Sequence, residues 1–123
     1  LNTEKLPGIN DSGLRINYRG CIRESRQGKG TYYLITPVGL ERLAHWYELG
    51  AIKYGERNWE GGGMPISHCF DSMFRHMVKY LSGRNDEDHL AAIAWNAFAI
   101  MHYEKYFPEM QDLPFRINIE EKE

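Results

Sequence analysis

The stretch GAIKYGERNWEGGGMPISHCFDSMFRHMVKYLSGRNDEDHLAAIAWNA, residues 50–97, decides the fold. Two helical patterns flank a short polar turn, and a glycine-rich loop leads into the first. In the first pattern Phe70, Met73, Phe74, Met77, Val78, Tyr80 and Leu81 share one broad arc at about 100° per residue. This predicts a helix over 66–82 that stops at Gly83. In the second, residues 87–106 are apolar nearly all round, which predicts a central helix. Gly83-Arg84-Asn85 is a tight connection, so the two helices are antiparallel neighbours. Asp86 is the expected N-cap of the second, with Glu87 and Asp88 complementing its positive end.

Working outward, Thr36-Pro37 is a hydroxyl followed by proline at a first helical position, and a further helix is expected over 37–54. Its apolar stripe is Leu40, Leu43, Ala44, Tyr47, Ala51 and Tyr54. TYYLIT at 31–36 reads as one short strand or as an extended lead-in. Residues 1–30 are irregular, glycine-punctuated and basic, an arm carrying Arg15, Arg19, Arg23, Arg26 and Lys29. Residues 107–123 alternate at Phe115, Ile117 and Ile119 and read as an extended, acidic-ended tail. The expected architecture is a single mainly α domain: three main helices in a bundle, an N-terminal arm with short β elements, completed by oligomerisation.

At 123 residues, 42% hydrophobic and a formal charge of −2, the chain is an ordinary globular domain and no general nucleic-acid coat. No apolar run approaches a membrane span. Cys21 and Cys69 lie far apart with no CxxC, which favours reduced thiols and a cytoplasmic location.

Polar groups stand where helices should be apolar, and burying them is costly unless they are paired or bound to a metal. Asp71 and His76 border the arc of the 66–82 helix; Asp71 can reach a cleft or pair with Arg75 at i+4. His89 and Asn96, seven apart, share a stripe, so Asn96 needs buried partners. Glu48 shares the stripe of Ala44 and Ala51, as a salt-bridge end or as a group aimed into a site. Carboxylates and imidazoles converging on a helical hairpin suit Mg²⁺ or Mn²⁺. Asp71, His76, Asp88 and His89 are the candidate metal ligands, Glu48 and His89 the candidate catalytic groups, and Asn96 an orienting or binding group. In the loop 55–65, Arg57, Asn58 and Trp59 suit a nucleoside pocket, or a loop pinned by a buried ring. Arg15, Arg23, Lys29 and Lys53 are candidate phosphate ligands; GKG at 28–30 lets backbone approach an anion but lacks the spacing of a phosphate-binding loop.

DSGLR at 11–15, IRESRQGKG at 22–30, GAIKYGERNWEGG at 50–62 and FRHMVKYLSGRNDEDHLAAIAWN at 74–96 together resemble the phage and prophage dATP/dGTP diphosphohydrolases, grouped loosely with the all-α MazG-type pyrophosphohydrolases. The resemblance implies a helical, oligomeric, divalent-metal enzyme that converts a purine dNTP to dNMP and pyrophosphate, in the host cytoplasm if phage-encoded. MazG-type enzymes carry ExxE and ExxD pairs on successive helices, and these helices carry none. Asp71, His76, Asp88 and His89 are more similar to the donor set of HD-type phosphohydrolases. Loss of the acidic pairs also suits a different class, a non-catalytic protein that sequesters a nucleotide.

Overall fold

The computed structural model describes residues 15–117 and divides into two units, one up to Thr36 and one from Pro37 onward. In the first, β1 (Arg15–Tyr18) pairs antiparallel with β2 (Cys21–Glu24), Arg15 opposite Glu24 and Tyr18 opposite Cys21. The two-residue loop Arg19-Gly20 has φ of 54° and 96°, the double left-handed geometry whose twist matches a hairpin. Asn17 Oδ1 accepts the Gly20 N–H at 2.7 Å and holds that turn. The arm therefore contains an ordered hairpin where weak periodicity suggests irregular chain. Residues 32–34 form a 3-10 turn, neither strand nor extended lead-in. Residues 1–14, including the DSGL of the first resemblance motif, lie outside the described residues.

The second unit is helical. α1 spans Pro37–Tyr54, α2 Ile66–Leu81 and α3 His89–Tyr106. α2 closes with a Schellman motif: Arg84 N–H donates to Lys79 O at 3.1 Å and Gly83 N–H to Tyr80 O at 3.0 Å, with Gly83 at φ 80°. α3 begins two residues later than the acidic run suggests. Its N-cap is Asp88 rather than Asp86, and the Asp88 carboxylate accepts the Ala91 N–H at 3.1 Å.

α2 and α3 form the expected antiparallel hairpin, with α1 packed on α3. At the end away from the turn, Ile66, Cys69, Ala99 and Tyr103 make the buried core. Phe107, Met110 and Leu113 pack against it from the segment that follows α3. That segment is not extended between 107 and 117. Pro108 opens a 3-10 turn (108–110), Pro114 opens a short helix, α4 (Pro114–Ile117), and Leu113 O accepts from both Arg116 and Ile117. The alternation of Phe115, Ile117 and Ile119 yields here to two prolines whose fixed φ suits a first helical turn; Ile119 and the acidic end, 118–123, lie outside the described residues.

Asp112 caps α2 from a distance, accepting the Ser67 N–H at 2.8 Å and the Ser67 hydroxyl at 2.6 Å. These bonds hold its carboxyl below the ordinary carboxylate range. In the loop before α2, Gly62 sits at φ 78° with the Phe107 ring so close that a Cβ would meet it at 2.8 Å. Among the described residues no helix is long and apolar enough to cross a membrane, and Cys21 and Cys69 are free thiols.

Candidate functional site

At the turn end the hairpin closes on polar groups. His89, the first residue of α3, is buried; His76, on the last turns of α2, is half-buried. Their Nδ1 atoms lie 2.9 Å apart, with ring centroids at 5.2 Å. His89 Nε2 faces Asp86 Oδ1 at 2.9 Å. These partners assign the protons. The carboxylate accepts from His89 Nε2–H, so a neutral His89 presents a bare Nδ1, and His76 donates its Nδ1–H to it. His76 Nε2 is then left with its lone pair. Burial, the largest influence, lowers the His76 pKa, and the nearby cations Lys79 and Arg75 push the same way against Glu87. His76 therefore favours the neutral form, the form that ligates metals. Trp46 from α1 stands edge-on to it, centroids 5.9 Å apart.

Glu87, in the turn, brings a carboxylate to the imidazoles: one donor atom each from His76, Glu87 and His89 lie within 4.8 Å of one another. The donors fit a divalent ion. Two cis ligands at ~2.1 Å from one metal stand about 3.0 Å apart, so the two Nδ1 atoms are spaced to share an ion once the His76 proton moves to its Nε2. Asp86 behind His89 is the carboxylate that commonly orients a ligating imidazole, and exposed Glu87 is free to swing inward.

Of the four expected ligands, the structure joins His76 and His89. Asp88 is committed elsewhere: Arg42 of α1 grips both its oxygens, at 2.8 and 2.6 Å, and the Ala91 N–H takes one of them again. The guanidinium holds the Asp88 carboxyl below its ordinary range. Asp71 is exposed and lines a shallow hollow of about 430 Å³ with Phe74, Arg75, Val78, Lys79 and Arg84. Glu48 is also exposed, its carboxylate 3.7 Å from His45 on its own helix, so it ends a surface pair and does not join the imidazoles. Glu87 and Asp86 escaped the sequence reading as site groups because both look like first-turn helix acids.

Asn96 is buried as expected, and its amide joins the two helices: Nδ2 donates to Ser72 Oγ at 3.2 Å and to Ala92 O at 2.9 Å. Trp59 is half-buried, its ring edge-on to Tyr47 and His102, and its carbonyl accepts from Tyr103 OH at 2.7 Å. That is the geometry of a pinned loop. Arg57, at φ 56°, pairs with Glu60 at 3.1 Å; Asn58 is exposed; Lys53 lies over the Tyr54 ring. On the first unit Arg15 is buried, Arg23 exposed, and Lys29 pairs with Glu24 at 3.1 Å. Three cations that the sequence reading did not assign to the site stand beside it: Arg75 and Lys79 act on His76, and Arg84 lies 3.8 Å from Asp86.

A family model described as dATP/dGTP diphosphohydrolase, N-terminal, matches residues 21–113. The chain belongs to this family. Both imidazoles, Asp86, Glu87 and the three cations fall inside the matched region. A dATP/dGTP diphosphohydrolase of Salmonella phage PMBT28 is 37% identical over 62 residues, a segment covering 50% of this chain and 20% of that protein. The chain thus spans about a fifth of that relative's length. No solved structure matches the chain.

Proposed function

We propose that this chain is the metal- and nucleotide-binding part of a dATP/dGTP diphosphohydrolase, acting on a purine dNTP to release pyrophosphate. The observation that carries the reading is the 2.9 Å approach of the two imidazoles, one backed by a carboxylate and both within reach of Glu87. His76, His89 and Glu87 would hold the ion; imidazole with carboxylate suits Mn²⁺ better than Mg²⁺. When bound, such an ion supplies charge neutralisation at phosphoryl oxygens and an acidified water. Asp86 fixes the His89 tautomer, so its Nδ1 lone pair would take the ion in place of the hydrogen bond from His76, whose ring would carry its proton on Nε2 instead. Arg75, Lys79 and Arg84 supply positive potential for the polyphosphate beside the imidazoles. Trp46 shields one side of His76 from water.

The test is to incubate the protein with dATP or dGTP and Mn²⁺ or Mg²⁺, following pyrophosphate release and thermal stability. A ligand at 100 times its dissociation constant adds about 2.7 kcal/mol, which is readily measured. Turnover and metal-dependent stabilisation are expected together, and both vanish in His89→Ala. A parent protein with no metal effect on either readout refutes the reading.

One observation favours a second reading, nucleotide binding without hydrolysis. The family model is that of an N-terminal region, the alignment with the phage relative covers one-fifth of that protein, and the acids beside the imidazoles, Asp86 and Glu87, come from the turn and not as pairs on the helices. Tight dNTP binding with the nucleotide recovered intact distinguishes it.

A further inference from the structure

The proposed function leaves the nucleobase without a place. Trp59, the ring to which the sequence points, is held edge-on to Tyr47 and His102. The hollow on α2 offers a different ring. Phe74 lines it and is 58% exposed. Asp71, Arg75 and Val78, all exposed, line it too, with half-buried Lys79 and with Arg84 from the turn. Its volume, about 430 Å³, falls within the range of small-molecule sites.

Round the helix these residues come in a definite order. At about 100° per residue, Val78, Asp71, Arg75, Lys79 and then His76 follow Phe74 in steps of about 20–60°. The groups in turn are an aromatic face, a carboxylate, two cations and an imidazole. Arg75 and Lys79 both act on His76 electrostatically, so they link the hollow to the imidazole pair. Arg84 makes the same link from the turn, 3.8 Å from Asp86. A nucleotide lying across the helix presents its parts in that order: the base first, then the phosphates, which lead toward the imidazoles.

An exposed Asp71 would ordinarily pair with Arg75, one turn on. That pair is not made: among the described residues no ion pair or side-chain hydrogen bond engages Asp71. A carboxylate is an acceptor only. An open one beside an aromatic ring therefore selects a base edge made of donors. Guanine offers two neighbouring N–H donors, on its ring and on its 2-amino group, to match the two oxygens. Adenine sets its single amino donor beside a ring-nitrogen acceptor, which a carboxylate repels. Any base stacks on an aromatic face. Phe74 thus supplies affinity and Asp71 supplies discrimination.

We infer that the hollow is the base subsite, that Asp71 reads the base, and that the site prefers a guanine nucleotide to an adenine nucleotide. This rests on the proposed nucleotide reading and adds to it the base that the site takes.

The experiment is calorimetric titration of dGTP, dITP and dATP into the parent, Asp71→Asn and Phe74→Ala. EDTA is present throughout, so that no ion sits on the imidazoles. The parent is expected to bind dGTP about ten- to a hundredfold more tightly than dATP, with dITP, which lacks the 2-amino group, in between. Asp71→Asn is expected to shrink the ratio about tenfold, because an amide adds a donor that suits adenine. Phe74→Ala is expected to weaken all three about tenfold and to leave the ratio in place. Both side chains are exposed, so helical circular dichroism is retained. A merely structural role for Asp71 would lower every affinity together without moving the ratio. Equal binding of dGTP and dATP by the parent overturns the inference. So does a ratio that Asp71→Asn leaves unchanged, and so does an absence of binding in EDTA. Each of these can occur with metal-dependent pyrophosphate release intact, and the proposed activity then stands alone. Discrimination that depends on Asp71, in a protein without turnover, upholds the subsite and removes the hydrolysis.

Discussion

The α2–α3 hairpin is fastened differently at its two ends. At the far end Ile66 and Cys69 meet Ala99 and Tyr103 in one buried cluster, and Phe107, Met110 and Leu113 close over the contact. At the turn end the same helices meet through His76 and His89, with Asp86 behind one imidazole and Arg42 tying Asp88 to α1. Asn96 with Ser72 marks the crossover between the two regimes. Apolar contact is non-directional and carries stability. A polar end gains little net free energy per bond, but it holds donors in fixed directions. The far end is therefore built to hold the hairpin, and the turn end to hold something else.

The sharpest way to break this division is Ile66→Ala. Ile66 is fully buried, and the substitution is expected to cost about 2–5 kcal/mol through lost transfer and a residual cavity. Chemical denaturation measures it, and metal-dependent stabilisation of the folded fraction should persist. If the metal response disappears with the stability, the ends are not separable. Asn96→Leu is expected to cost about 1–3 kcal/mol, because Ser72 loses its donor and a larger side chain enters a packed seam. Asp88→Ala removes a helix cap and is expected to cost about 1 kcal/mol. That variant should still respond to metal, which separates Asp88 from His76 and His89. A lost response would return Asp88 to the ligand set.

The smallest effect is a pH effect at the apolar end. The folded pKa of Asp112 is depressed by its two bonds from Ser67. Its contribution is fully present above the ordinary carboxylate pKa and is lost as pH falls through the depressed folded value. Melting temperatures of the parent and Asp112→Asn should differ at neutral pH and converge in acid. A difference that persists at low pH would mean that the carboxylate's charge is not what matters.

Helix positions were legible because period 3.6 is written into the residues themselves: Pro37 begins α1, Gly83 ends α2, and Asn96 is buried on the His89 stripe as its spacing requires. The imidazole pair was half legible, since a border histidine before a short turn and another after it must come close. What spacing does not encode is the choice among equivalent partners. Arg42 takes Asp88 across 46 positions, and nothing in GRNDEDH says which acid will cap, which will pair and which will back a histidine. Trp59 was ambiguous for the same reason: its Tyr103 and His102 partners lie more than forty residues away. The β1–β2 hairpin was concealed because its left-handed turn uses arginine before glycine, where asparagine is the usual sign.

The run Gly61-Gly62-Gly63 looks like one feature, yet the three positions face different futures under substitution. Around Gly61 no atom lies within 4 Å of a would-be Cβ, and its φ is ordinary, so any small residue is accommodated. Gly63 has space but a φ of 100°, so a side chain there is strained. Gly62 is forbidden a side chain twice, by its φ and by the Phe107 ring. In lineages that descend from this chain, position 61 is free to drift alone. At position 62 a smaller residue at 107 would lift the clash but not the backbone strain, so the glycine stays fixed while the ring that packs on it is freer to vary.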